Sequence, residues 1–157
     1  MNVLAWSGLV LILDQVTKQI IRANLERGES LQVIGNNVLI THIENPGIAF
    51  GINIEGGSSF FMMASLLATL LIIIYLWRWR KGSLSIRISL SLILGGALGN
   101  LIDRFLFGKV VDFIQVGAGG WYWPVFNVAD SCVTIGMILF LYISFFRLKS
   151  ETAELVK

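Results

Sequence analysis

The sequence predicts a mainly α-helical membrane protein, a single domain in which four transmembrane helices carry a small extracytoplasmic β-sheet. The first reason is composition: 55% of the 157 residues are hydrophobic and only 14% are charged. Soluble domains average about 45–50% apolar and about 25% charged residues. The second reason is size, because a soluble domain of this length has too little interior to bury so much apolar surface. The third is the presence of four apolar stretches of bilayer-spanning length.

The four spans are predicted at residues 3–21, 59–77, 84–101 and 128–146. The second span contains no charged residue, whereas the first contains Asp14 and Lys18. Arg87 lies near the start of the third span and Asp130 near the start of the fourth. We expect the first span to be retained rather than cleaved as a signal peptide. No basic residue precedes its apolar run, and Asp14-Gln15 stands where a small-residue cleavage site would lie.

The two longer connections contain the predicted strands. Residues 31–34 and 38–43 alternate apolar and polar side chains, which predicts two short strands joined by a turn at 35–37. The connection after the third span contains the strand-like segment 110–114 and the aromatic run 121–123, which is typical of a membrane–water interface.

The distribution of Lys and Arg predicts the orientation. Four Lys and Arg residues lie between the second and third spans or at the start of the third, and three follow the fourth span. The other end of the bundle has five such residues if Lys18 is counted. The dense cluster at residues 78–81 places that connection in the cytoplasm, because short cytoplasmic loops carry an excess of Lys and Arg. Both termini are then cytoplasmic, and the two longer connections face outward.

Polar residues inside or beside the spans are the candidates for function, because ionisable groups in a membrane are costly. Asp14 and Lys18 have the i, i+4 spacing of a helical ion pair, and a pair that only neutralises itself is the structural alternative. Asn100, Asp103 and Arg104 end the third span. There, Arg104 could extend to the interface without further function.

Two further acids suggest a specific chemistry. Asp112 lies in an apolar strand-like run without an adjacent base, so it needs a partner or a raised pKa. Asn127 resembles a helix N-cap, and Asp130 then occupies the third position of that helix. A capping role alone would also explain the presence of Asp130. Two carboxylates in one site can share a proton and activate water. We therefore favour Asp112 and Asp130 as a pair brought together by the glycine-rich connection between them.

Other chemistries have weaker support. Ser131 with Lys18 or Lys109 could form a Ser–Lys dyad, but that pairing leaves the acids unexplained. Cys132 lies in an apolar helix, where an inert thiol is usual. One Cys and one His give no metal-site pattern, and a net charge of +2 gives no support for a nucleic-acid partner.

Five segments, in order, resemble the signature blocks of the lipoprotein signal peptidase (signal peptidase II) family. They are Leu13–Lys18, Glu44–Gly51, Gly95–Arg104, Val110–Ile114 and Phe126–Ser131. The resemblance extends over residues 4–146. It implies a bacterial inner-membrane aspartic endopeptidase that cuts prolipoproteins just before a diacylglyceryl-modified cysteine, without a metal or cofactor.

The resemblance also implies roles for individual residues. Asp112 and Asp130 match the catalytic pair. The positions expected to bind substrate or support the site are Asn45, Gly47, Asn100, Arg104, Asn127, Asp14, Lys18 and Asp103. The segment between the first two spans resembles a small sheet and lid over the substrate. We expect a monomer whose active site faces the extracytoplasmic side, with prolipoprotein and membrane lipid as partners.

Two other classes of function remain as alternatives. A small proton-coupled transporter would place an ionisable residue at mid-membrane, for which Asp14 is the candidate, although we expect it toward the outer end of its span. A membrane scaffold without activity would not require two acids beside Asn100, Arg104 and Asn127.

Overall fold

A computed structural model describes residues 3–47 and 57–155, with side chains described for 3–47 and 59–146. The elements in chain order are α1 Leu4–Asn24, β1 Ser30–Ile34, β2 Val38–Asn45, α2 Gly57–Arg78, α3 Leu84–Phe107, β3 Val110–Ala118, β4 Trp121–Tyr122 and α4 Val128–Leu155. Four helices in the described residues are long and apolar enough to cross a membrane. The predicted fold class, with four spans and a small sheet, is confirmed.

The helices extend beyond the predicted spans. α3 continues six residues past Leu101 and ends at Gly108, whose left-handed φ of 70° is favourable for glycine. The extension occurs because Asp103 bonds to neighbouring elements, which allows this polar residue to remain inside the helix. α1 likewise runs to Asn24. Asp14 therefore lies at the middle of α1, and the expectation that it lies toward the outer end was wrong.

α3 is the central helix of the bundle. Half of its span is buried, against 11% for the spans of α2 and α4. A Cβ atom on Gly95 would lie 2.8 Å from the Ser7 carbonyl oxygen of α1, and one on Gly96 would collide with the Ala129 carbonyl oxygen of α4. These glycines therefore allow close helix contact.

Two apolar clusters fill the two ends of the molecule. One joins the start of α1, the end of α2 and the first half of α3, and includes Val3, Leu76 and Ile86. The other packs the sheet against the end of α1 through Leu25 and Phe113. The polar residues of interest lie between these two clusters.

The strands form one antiparallel sheet in the order β1-β2-β3-β4. β1 and β2 match the two strands predicted around the turn at 35–37, and β3 contains the predicted strand-like run. In β2, Ile40 pairs with Ile114 and Ile43 pairs with Asp112, so β2 has one residue more than β3 between these pairs. The extra residue is a β-bulge.

The bulge decides which side chains of β2 lie beside Asp112. Directly paired residues share a face of the sheet, and the face alternates along each strand. Asn45 pairs with Val110, two residues from Asp112, so Asn45 and Asp112 lie on one face. Without the bulge, Glu44 would occupy that face instead.

We expect the glycine contact between α3 and α4 to be essential for stability. Gly96→Ala places a Cβ against the Ala129 carbonyl and 2.8 Å from Val133 Cγ2, and overpacking of this kind costs about 1–3 kcal/mol. Gly8→Ala is the matched control, because nothing lies within 4 Å of its Cβ. Thermal unfolding in detergent should show a lower Tm for Gly96→Ala only, and equal Tm values for the two variants would contradict the packing account.

Candidate active site

Polar side chains from α1, α3, β3 and α4 meet in the interior of the protein. Asp14, Lys18, Asp103 and Asn127 are fully buried, and Asp112 is only 4% exposed. Burial of so many polar groups is tolerated only when they are paired and hydrogen-bonded. Their mutual contacts therefore determine how the surrounding elements are arranged.

Lys18 is the central cation of this cluster. Its Nζ lies 2.8 Å from Asp14 Oδ2 and 3.6 Å from Asp103 Oδ2, and it donates a hydrogen bond of 2.8 Å to Asn100 Oδ1. The ion pair predicted from the spacing of Asp14 and Lys18 is thus confirmed. It does not stand alone, because Lys18 also joins α1 to α3.

The two carboxylates beside Lys18 each accept a hydrogen bond from a backbone N–H group of another element. Asp14 Oδ1 accepts a 2.9 Å hydrogen bond from the Ala129 N–H in the first turn of α4. Asp103 Oδ2 accepts a 3.1 Å hydrogen bond from the Val111 N–H in β3. These bonds fix the positions of β3 and α4 relative to α1 and α3.

Asn127 caps α4 as predicted. Its Oδ1 accepts a 2.9 Å hydrogen bond from the Asp130 N–H, while Asp130 Oδ2 accepts a 3.2 Å bond from the Asn127 N–H. This reciprocal arrangement is a capping box in which an acid occupies the third helical position. The Asn127 Nδ2 group also donates a 2.7 Å bond to Asp112 Oδ1, so one residue contacts both candidate carboxylates.

Each candidate carboxylate has a second amide donor. Asn45 Nδ2 donates to Asp112 Oδ2 at 3.0 Å, and Asn100 Nδ2 donates to Asp130 Oδ1 at 2.7 Å. Within the described part of the chain, no Lys or Arg forms an ion pair with either carboxylate. The two acids are therefore held by neutral donors, which fixes their orientation without neutralising their charge.

The surroundings of Asp112 favour its protonated form. Burial, followed by the nearby charge of Asp130, raises the pKa of Asp112 to about 6, although the hydrogen bonds from Asn45 and Asn127 and the charge of Lys18 oppose the rise. Two acids that influence each other in this way can retain one proton between them.

Arg104 and Gly47 lie at the edge of this group. Arg104 is half-buried, and its Nη1 donates a long 3.4 Å hydrogen bond to the Asn100 carbonyl. Its Nε is buried without a hydrogen-bond partner in the described structure. Gly47 donates its N–H to Asn45 Oδ1 at 2.9 Å, and its φ of 105° is favourable for glycine. Residues 48–56 of the segment predicted to form the sheet and lid lie outside the described residues.

Several contributing residues were not expected from the sequence. Gln15 Nε2 lies 3.2 Å from Asp14 Oδ2, 3.1 Å from the Gly99 carbonyl and 3.3 Å from Asp103 Oδ1. Arg22 Nη2 lies 2.8 Å from Asp103 Oδ2. The spacing of residues 14, 18 and 22 by four could have placed Arg22 on the same helix face as the predicted pair.

The geometry does not bring together a Ser–Lys dyad. Ser131 Oγ donates to the Asn127 carbonyl at 2.9 Å, as a side chain near a helix start often does. Lys109 Nζ lies 2.9 Å from Glu44 Oε2, and Lys18 is bound as described above. Among the described residues, no cluster of His, Cys, Asp and Glu could hold a metal ion.

Comparison with known proteins shows the family. The profile of the signal peptidase (SPase) II family matches residues 6–146. The chain belongs to the signal peptidase II family. A lipoprotein signal peptidase from Syntrophus aciditrophicus is 43% identical over 150 residues, covering 92% of each chain. One from Listeria monocytogenes is 42% identical over 132 residues, covering 84% of this chain and 85% of the relative.

Solved structures show the same fold. A bacterial membrane enzyme solved at 2.3 Å resolution superposes with a TM-score of 0.79 at 38% identity, covering 96% of this chain and 90% of the other. A second, solved at 1.9 Å, gives a TM-score of 0.76. The chain is therefore a multi-pass bacterial membrane protease, and its family decides against the transporter and scaffold alternatives.

The raised pKa of Asp112 predicts a measurable titration. In the substrate-free protein, Asp112 should carry a proton below about pH 6 and lose it above that value. Asp130→Asn removes a charge that raises this pKa, so the midpoint should move to lower pH. Infrared difference spectroscopy of the protonated carboxyl group measures the midpoint, with Asp112→Asn as the blank. An unchanged or higher midpoint in Asp130→Asn would show that Asp112 does not sense the Asp130 charge.

Proposed function

We propose that this protein removes signal peptides from lipoprotein precursors as an aspartic endopeptidase, with Asp112 and Asp130 as the catalytic pair. The observation that carries the proposal is the contact of Asn127 with both acids, which come from β3 and α4. Family membership supports the removal of signal peptides from lipoproteins. The geometry supports a mechanism by which these residues would do so.

The proposed reaction uses the state in which the pair holds one proton, a state that the burial of Asp112 and the nearby charge of Asp130 favour. The ionised carboxylate takes a proton from water as the water oxygen attacks the scissile carbonyl carbon, while the protonated acid donates to the carbonyl oxygen. The acid that took the proton from water then gives it to the leaving nitrogen as the C–N bond breaks, while a hydroxyl of the tetrahedral intermediate returns its proton to the other carboxylate as the carbonyl re-forms. No covalent enzyme intermediate is formed, and the pair ends with one proton, ready for another turnover.

The neighbouring amides are suited to hold this pair in position. Asn45, Asn100 and Asn127 each donate to one of the two carboxylates. An amide donor stabilises a carboxylate less than an ammonium ion would, so each acid can still bind a proton. Lys18 is connected to the pair through Asn100. Asn100 Oδ1 accepts a hydrogen bond from Lys18, and Asn100 Nδ2 donates one to Asp130.

The location of the pair fits a lipid-modified substrate. Asp112 and Asp130 lie close to the end of α3 and the start of α4, at the end of the bundle that carries the sheet. The Lys and Arg distribution supports an extracytoplasmic position for this end of the bundle. A precursor with a diacylglyceryl group on its cysteine can keep its acyl chains in the bilayer while the bond before that cysteine reaches the site.

The proposed mechanism is tested with one precursor in two forms. Purified protein should cleave the diacylglyceryl-modified precursor and leave the unmodified form largely intact. Asp112→Asn and Asp130→Asn should each reduce cleavage by at least about a thousandfold, as removal of an essential catalytic group commonly does. Product formation is followed by mass spectrometry, which also reports the cleavage position.

Two controls separate the catalytic role from general effects. Glu26→Gln changes an exposed acid outside the polar cluster and should leave the cleavage rate unchanged. Ser131→Ala removes the alternative nucleophile and should retain most activity. Cleavage that survives in either Asp variant would refute the dyad, and equal cleavage of both precursors would refute lipid-dependent specificity.

Arg104 is proposed to bind the substrate backbone or a lipid carbonyl. Its guanidinium is close enough to interact electrostatically with Asp130 and Asp112, yet within the described part of the chain it donates one long hydrogen bond, to the Asn100 carbonyl. Arg104→Ala should therefore raise KM by about tenfold or more, because a hydrogen bond from a charged group contributes about 1.5–3 kcal/mol. The thermal stability should change little. Normal cleavage kinetics in Arg104→Ala would exclude this role.

A further inference from the structure

A cavity of about 460 Å³ lies at the end of the bundle opposite the polar cluster. Its lining is apolar except for two arginines, and it is formed by the start of α1, the last turns of α2 and the first half of α3. Lining residues include Val3, Ile73, Leu76, Leu94, Arg80 and Arg87. This combination of an apolar wall and cationic groups is suited to an anionic amphiphile.

Among the residues whose side chains the structure describes, neither arginine forms an ion pair. Arg87 Nε is buried without a hydrogen-bond partner in the described structure. Arg80 stacks on Trp77, with its Cζ 4.4 Å from the ring centroid, and Nη1 donates to the Trp77 carbonyl. Every ion pair made by described residues lies at the other end of the bundle, around Lys18 and Glu44. The sequence contains no acid between residues 56 and 102.

The cavity is accessible from the surface that faces lipid. Ile73 and Trp77, which both line it, are 45% and 65% exposed on α2. Leu76 and Leu94 form its inner part and are less than 10% exposed. A hydrocarbon chain could therefore enter sideways between α2 and the start of α1, while a negatively charged group remained beside the arginines.

We propose that this cavity binds one anionic phospholipid of the cytoplasmic leaflet. The phosphate would accept hydrogen bonds from Arg87 and Arg80, and one acyl chain would occupy the apolar part. Basic pockets between helices at the cytoplasmic side are known to bind anionic headgroups. The proposal depends on the predicted orientation of the helices and is independent of the proposed catalytic pair.

The test compares two lipids that differ only in headgroup charge. The full-length protein is purified in a nonionic detergent with equal amounts of phosphatidylglycerol and phosphatidylcholine of identical acyl chains. Native mass spectrometry then measures the lipid retained by each protein molecule. The expected result is one bound lipid with a clear preference for phosphatidylglycerol.

Substitutions localise the site. Arg80→Gln and Arg87→Gln should each reduce the preference about fivefold, which corresponds to about 1 kcal/mol for each basic group near an anionic lipid. Arg78→Gln and Lys81→Gln are matched controls, because these bases belong to the same connection but do not line the cavity. Arg80 is exposed and lies outside the core, so we expect Arg80→Gln to fold. This variant can therefore test the proposal even if Arg87→Gln does not fold.

Three outcomes would overturn the proposal. They are equal retention of the two lipids by the wild type, an equal loss of preference in all four variants, and displacement of the lipid by inorganic phosphate. The second would indicate diffuse attraction by surface charge, and the third would indicate a simple anion site without an acyl-chain subsite.

Discussion

A buried ammonium group is the interaction on which the rest of this structure depends. Lys18 places one positive charge beside Asp14 and Asp103, which are fully buried like Lys18 itself, and beside the partly buried Asn100. Removing one partner from such a cluster leaves an uncompensated charge, which is far more costly than the net contribution of an intact pair. The helices are therefore held in one relative rotation, because another rotation would separate these groups.

The candidate site is built outward from that cluster. Asp14 fixes the start of α4 and Asp103 fixes β3 through backbone N–H groups. Asp130 and Asp112 belong to these two elements, so their relative position follows from the buried charges. Asn127 then completes the arrangement, because the residue that begins α4 also donates to Asp112. Helix capping and positioning of the carboxylates are one structural feature in this protein.

The sequence was informative where a short-range pattern determines the structure. Apolar length predicted the spans, the i, i+4 spacing predicted the Asp14–Lys18 pair, and residue type predicted the Asn127 cap. Contacts between helices could not be predicted in the same way, since a helix in lipid can be apolar on every face and its rotation is not encoded in local spacing. Thus the contact of Lys18 with Asp103, the bridging by Gln15 and the bulge in β2 required the three-dimensional structure.

The bulge in β2 also limits how the chain length can vary. Adding or removing one residue between Ile40 and Asn45 would turn each later side chain of β2 to the opposite face of the sheet. A neighbour of Asn45 would then lie beside Asp112 in its place. Adding or removing two residues would restore the faces. A change of length in the turn at residues 35–37 acts instead on the register of β1 against β2. Tolerance to insertions in this region therefore depends on whether their length is odd or even, and not only on how exposed the segment is.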